Sequence, residues 1–155
     1  MDWSRYRFRS VWDVDATPEA VFAVLERAEE YPLWWPQVRS VSRIDERTGS
    51  ARFRSALPYE LVVTAREQRR DPATGVLEIA MSGDLLGWAR WTVLPRGAGA
   101  RALYEQEVEV RKPLMRRLAL PARPVFLANH VLMMRAGRRG LRSLLATAPP
   151  DRDAV

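Results

Sequence analysis

The chain has 155 residues, 47% hydrophobic and 28% charged, the balance of an ordinary globular protein long enough to bury a sizeable core. It contains no cysteine and one histidine, which excludes disulfides and thiolate sites and argues against a zinc site; no metal or cofactor is expected. The net charge is +6, and all but Lys112 of the 25 basic residues are arginine. They are spread along the whole chain without a recognised nucleic-acid motif, so they read as a solvated surface and no nucleic-acid partner is expected.

The opening "MDWSRYRFRS" has no continuous apolar run, so it does not read as a signal peptide, and a cytoplasmic location is expected. Residues 5–15, "RYRFRSVWDVD", alternate with period two: Arg5, Arg7 and Arg9 on one side, Tyr6, Phe8, Ser10, Trp12 and Val14 on the other. That is the pattern of a half-buried strand. Residues 15–31 predict a helix with Thr17 as N-cap, Pro18 in the first turn, Glu19 and Glu26 exposed, and Ala20, Val21, Val24 and Leu25 as its apolar stripe. "YPLWWPQV" breaks it with two prolines and predicts a short second helix or turn carrying Trp34 and Trp35. With Pro36, these tryptophans either cover a cavity mouth or plug the end of the sheet.

Six further strands are predicted at 38–46, 50–57, 59–70, 75–83, 86–95 and 101–111, joined as consecutive antiparallel hairpins. From about Pro113 to Ala146 the chain predicts a helix, with Pro121 and Pro124 bending or interrupting its start. Phe126, His130, Met133, Gly137, Leu141 and Leu144 share one face, and Arg135, Arg138, Arg139 and Arg142 the opposite one. No window approaches the ~20 apolar residues of a membrane span. The arginine face could touch anionic membrane transiently, although an ordinary solvated face explains it as well. One domain is expected over residues 1–147, with 148–155 a disordered tail.

One sheet covering one long amphipathic helix gives an α+β domain. Arg5, Arg7 and Arg9 share one face of the first strand, and Glu105, Glu107 and Glu109 one face of the last. These are either two independently solvated faces or, if the two strands pair antiparallel, a solvent-facing ladder of opposite charges, and the sheet must then curl.

The segments "GDLLGWARWTVLP", "ALYEQEVEV" and "ARPVFLANHVLMMRAGRRGLRSLL" resemble the START-like (Bet v 1-like, SRPBCC) superfamily, most closely its polyketide cyclase/dehydrase branch. The residues that carry the likeness are Gly83, Asp84, Leu85, Gly87 and Trp91, then Asn129, His130, Met134, Gly137, Gly140 and Leu141. The resemblance implies a helix-grip fold, in which a curved seven-stranded antiparallel sheet wraps a long C-terminal helix, with two short helices between strands 1 and 2. It also implies a cavity between sheet and helix. Members include cyclases and carriers of lipids or hormones, so fold alone does not choose between them.

With the arginines and glutamates outside, alternation turns Ala102, Tyr104, Gln106, Val108 and Val110 inward, together with Ala89, Trp91, Met81, Val63 and Phe53. The inner surface is apolar with a few polar groups, the composition of a small-molecule site. A hydrophobic small-molecule ligand is therefore expected, held by Phe53, Ser55, Leu57, Val63, Met81, Trp91, Tyr104, Gln106, Phe126, Asn129, His130, Met133 and Gly137. Glycines 83, 87, 137 and 140 either admit a close neighbour or leave room for that ligand. Neither a serine elbow nor a phosphate-cradling loop is present, and Asp84 reads as a turn cap. His130 is left as the one acid/base candidate, for cyclisation or dehydration of a polyketide-like chain, against the plainer reading of a hydrogen-bonded core histidine.

Overall fold

The computed structural model describes residues 5–54, 60–111 and 119–147, with side chains from 123 to 146 in the last range. The elements run β1 (Arg5–Val14), α1 (Pro18–Glu26), a 3₁₀ turn (Ala28–Glu30), α2 (Tyr31–Trp34), β2 (Val38–Arg43), β3 (Thr48–Arg54), β4 (Glu60–Asp71), β5 (Val76–Gly83), β6 (Leu85–Arg96), β7 (Gly99–Val110) and α3 (Ala119–Thr147). The seven strands form one antiparallel sheet in the order β1-β7-β6-β5-β4-β3-β2. The first and last strands are neighbours, as the charge ladder expects, with Arg5 opposite Glu109, Arg7 opposite Glu107 and Arg9 opposite Glu105. Arg7 and Glu107 close to 3.1 Å on the outer face.

Thr17 caps α1 by accepting a hydrogen bond from the Ala20 amide at 3.2 Å. The helix stops at Glu26, earlier than its sequence pattern suggests: Arg27 leaves helical conformation, and residues 27–30 are all exposed and do not extend the apolar stripe. Its deepest residues are Val21, Phe22 and Leu25; Val24 and Ala20 are only half-buried, as is Glu26, which pairs with Arg70. β2 ends at Arg43 rather than 46, where the chain turns toward β3.

The last helix is continuous through both prolines instead of being interrupted. Pro121 lies in the first turn, where amides have no intrahelical acceptor in any case. On its inward face Phe126, His130, Met134 and Leu141 are buried, Met133 is half-buried and Leu144 is exposed. The stripe thus gains Met134 beside Met133 and turns away from the sheet before Leu144.

Aromatic packing fixes where this helix sits. Trp12 lies with ring centroids 4.7 Å from Trp91 and 5.3 Å from Trp35, and Trp34 stacks on Trp35 at 5.4 Å. Both Trp34 and Trp35 are buried, so they plug the end of the sheet. The Trp35 indole donates to the Met133 carbonyl at 2.9 Å, tying α2 to α3. On the outer face, Trp88 is covered by the Arg90 guanidinium, 4.8 Å from its ring centre.

Candidate functional site

Between the concave sheet and α3 lies a cavity of about 620 Å³. Leu61 and Ala65 of β4, Leu77, Ile79 and Met81 of β5, Ala89 and Trp91 of β6, and Tyr104 and Gln106 of β7 form its floor. Phe126, Asn129, His130 and Met133 of α3 form the roof. The walls that reach solvent are Glu26–Tyr31, the β2–β3 hairpin and the Glu67–Arg70 end of β4. Ion pairs join these edges: Arg43 to Glu29 and Arg70 to Glu26, each at 2.6 Å.

The carboxamide of Gln106 gathers the polar groups of the interior. Its Oε1 accepts the Tyr104 hydroxyl at 2.8 Å and lies 3.2 Å from His130 Nε2. The amide nitrogen faces Met81 Sδ at 3.6 Å. With the carboxamide oxygen on its side, His130 must carry the proton on Nε2 to donate, which makes Nδ1 the acceptor of the ring. The imidazole also stacks face to face on Phe8, with centroids 3.6 Å apart. Burial among these rings lowers the His130 pKa to about 4, so the ring is neutral at neutral pH. Burial likewise raises the phenols of Tyr104 and Tyr31, and each stays a protonated donor. Tyr31 gives its hydroxyl proton to the Leu25 carbonyl.

Of the residues expected from the sequence, Phe53, Met81, Trp91, Tyr104, Gln106, Phe126, Asn129, His130 and Met133 stand in the cavity wall. Two expected residues do not. Val63 is fully buried between Leu61 and Ala65 without contributing to the wall. Gly137 packs against tryptophan: a Cβ there would come 2.5 Å from Trp35 Cε2 and 2.7 Å from Trp12 Cη2. Ser55 and Leu57 lie outside the described residues.

Other glycines also admit neighbours rather than a ligand. A Cβ at Gly140 would strike the Trp34 carbonyl, and one at Gly87 the β7 backbone at Glu107. Gly83 takes φ 95° at the β5–β6 turn, a conformation that side chains disfavour. Asp84 is a structural cap: its carboxylate accepts the Val62 amide at 2.8 Å, and its carbonyl accepts the Arg111 amide at 2.7 Å. Most of the glycines and Asp84 of that motif therefore build the fold, while Leu85, Trp91, Asn129 and His130 are its members at the cavity.

Phe8, Tyr31 and Trp35 are wall residues absent from the sequence-based site. Phe8 was within reach of period-two reasoning, since it shares the inward face of β1 with Tyr6 and Trp12. Tyr31 lies at a helix break, where no periodicity fixes its direction. Among the described residues no group of three or more His, Cys, Asp or Glu gathers to hold a metal, and no helix is long and apolar enough to cross a membrane.

The chain matches the family described as polyketide cyclase/dehydrase and lipid transport over residues 14–129, and it belongs to that family. Among solved structures it is similar to TTHA0849 from Thermus thermophilus, at 17% identity and TM-score 0.72, covering 92% of this chain and 100% of that one. It is equally similar to the Zhui aromatase/cyclase from Streptomyces sp. R1128, at 17% identity and TM-score 0.72, covering 93% and 98%. A START superfamily protein from Mycobacterium smegmatis follows at 14% identity and TM-score 0.68, covering 90% and 97%. These likenesses establish the helix-grip, START-like fold. A comparison with curated proteins found no match.

Proposed function

We propose that this protein binds a hydrophobic small molecule, lipid or polyketide-like, in the cavity between the sheet and α3. The observation that carries the reading is a cavity of about 620 Å³ whose floor and roof are apolar apart from Asn129 and the Tyr104–Gln106–His130 cluster. That volume suits a drug-sized molecule, and an apolar wall with a few fixed polar groups is how such molecules are held and oriented. The charged residues of the wall lie toward its solvent-facing edges, so the deep part favours a neutral, flat or aliphatic body. The neutral imidazole of His130 in the wall offers that body a hydrogen-bonding group.

Native mass spectrometry of the purified protein tests the reading by showing whether an apolar molecule co-purifies. Displacement of the fluorescent probe ANS by oleate or by a hydroxynaphthalene tests it independently. If neither probe nor competitor binds, the carrier reading fails.

The second reading is cyclisation or dehydration of a polyketide-like chain with His130 as acid/base. What supports it is the imidazole in the cavity wall beside two oxygen-bearing side chains. A pKa of about 4 makes the ring a weak base, which favours a hydrogen-bonding role. Under the enzymatic reading, His130→Ala abolishes turnover of a poly-β-ketone and leaves its affinity largely intact.

A further inference from the structure

The outward side of α3 is neither packed nor balanced in charge. At about 100° per residue, Val125, Ala128, Val131 and Leu132 share with Arg135 and Arg139 the side opposite Phe126, His130 and Leu141. Val125, Val131 and Leu132 are 45%, 49% and 56% exposed. The helix sequence contains five arginines at 123, 135, 138, 139 and 142, and no aspartate or glutamate. Two of the five are engaged by the body of the protein. Arg123 donates to the Arg5 carbonyl at 3.1 Å and Arg142 to the Asp13 carbonyl at 2.7 Å. Arg138 is half-buried, whereas Arg135 and Arg139 are exposed.

We propose that this face docks the protein on a bilayer containing anionic lipid. Val125, Val131 and Leu132 enter the acyl boundary, and the guanidinium groups of Arg135 and Arg139 meet the headgroup anions. Attachment at a membrane interface scales with the apolar area buried at the headgroup–acyl boundary plus the attraction of basic residues for anionic lipid. Each basic residue at such a surface adds to the attraction for anionic lipid. The charge decides the occupant. A second copy of this helix brings more arginine and no carboxylate, and four small side chains fall well short of the ~800 Å² per partner of a stable dimer. The opposite face of the same helix roofs the cavity with Phe126, Asn129 and Met133, so docking brings the cavity roof to the lipid surface.

Flotation of the full chain with vesicles of phosphatidylcholine, alone or mixed with phosphatidylserine, tests the proposal. Binding is expected to the mixed vesicles only, and to weaken as salt is raised. The double variant Arg135→Glu/Arg139→Glu should lower partitioning by about tenfold or more. Val131→Ser/Leu132→Ser should also lower it, while ANS binding in the cavity stays unchanged in both variants. Absence of flotation with mixed vesicles overturns the proposal. So does flotation that neither double variant reduces, or a dimer in solution that Val131→Ser/Leu132→Ser dissociates.

Discussion

The carboxamide oxygen of Gln106 lies 3.2 Å from Nε2 of His130, and the same oxygen accepts the Tyr104 hydroxyl at 2.8 Å. One acceptor on the inner face of β7 therefore serves a donor from its own strand and a donor from α3. Gln106→Met keeps the side-chain length and removes that acceptor. Each donor left without a partner in the interior costs about 1–3 kcal/mol, so the variant should be destabilised by roughly that amount per group. Tyr104→Phe in the same background should return part of the loss. Urea unfolding of the four proteins in the cycle measures the coupling, and strict additivity would show that the shared oxygen is unimportant.

Stability should fall on mild acidification because of His130. Its folded pKa is about 4, while an unfolded histidine titrates near 6.5. Between these values the unfolded chain binds the extra proton, so acid favours unfolding. The contribution is whole above about pH 6.5, declines as pH falls toward 4, and amounts to about 3 kcal/mol in total. Unfolding midpoints at pH 7.5 and pH 5 should differ in the parent protein and differ much less in His130→Gln.

Alanine at Gly137 or Gly140 should destabilise the protein, although alanine in place of an interior helical glycine ordinarily stabilises by about 1 kcal/mol. At Gly137 the added methyl meets Trp35 and Trp12, two rings already packed on each other. At Gly140 it meets the Trp34 carbonyl, which has less freedom to move. Overpacking of this kind costs about 1–3 kcal/mol, with Gly140→Ala the worse of the two. Thermal melts of both variants check the sign.

The ion pairs at the cavity edge should govern access more than stability. Arg43 is paired with Glu29 and Arg70 with Glu26; the first pair is exposed on both sides, and in the second the arginine reaches solvent beside a half-buried Glu26. Exposed pairs contribute about 0–1 kcal/mol, so Arg43→Ala/Arg70→Ala should melt close to the parent. Stopped-flow mixing with ANS should show faster entry in the double variant, and raised salt should shift the parent toward it.

Much of this arrangement was legible before any coordinates. Period-two alternation of large charged and apolar residues fixed the inward faces of β1 and β7 and pointed to their pairing as a charge ladder, which the structure sets in register with Arg7 opposite Glu107. It thereby placed Tyr104 and Gln106 inside. What the sequence left open was the third dimension. Gly137 and Met133 are both compatible with an inward helix face, and only the position of Trp35 decides that one is covered and the other borders the cavity. The end of α1 was missed for a similar reason. Residues 27–30 are compatible with helix, and the turn to Tyr31 and the two tryptophans is set by where those rings pack. Phe8 was read as inward, but its stacking on His130 joins two elements over a hundred residues apart, which no local pattern encodes.

The most direct test of the cavity's role is calorimetric titration of ANS and of a hydroxynaphthalene into the parent and into Ile79→Trp. Ile79 is half-buried in the cavity floor, so the larger side chain fills the site from a central strand. The account predicts saturable one-to-one binding by the parent, and at least about tenfold weaker binding by a variant that still unfolds cooperatively. Equal binding by both proteins, or none by the parent, would contradict it.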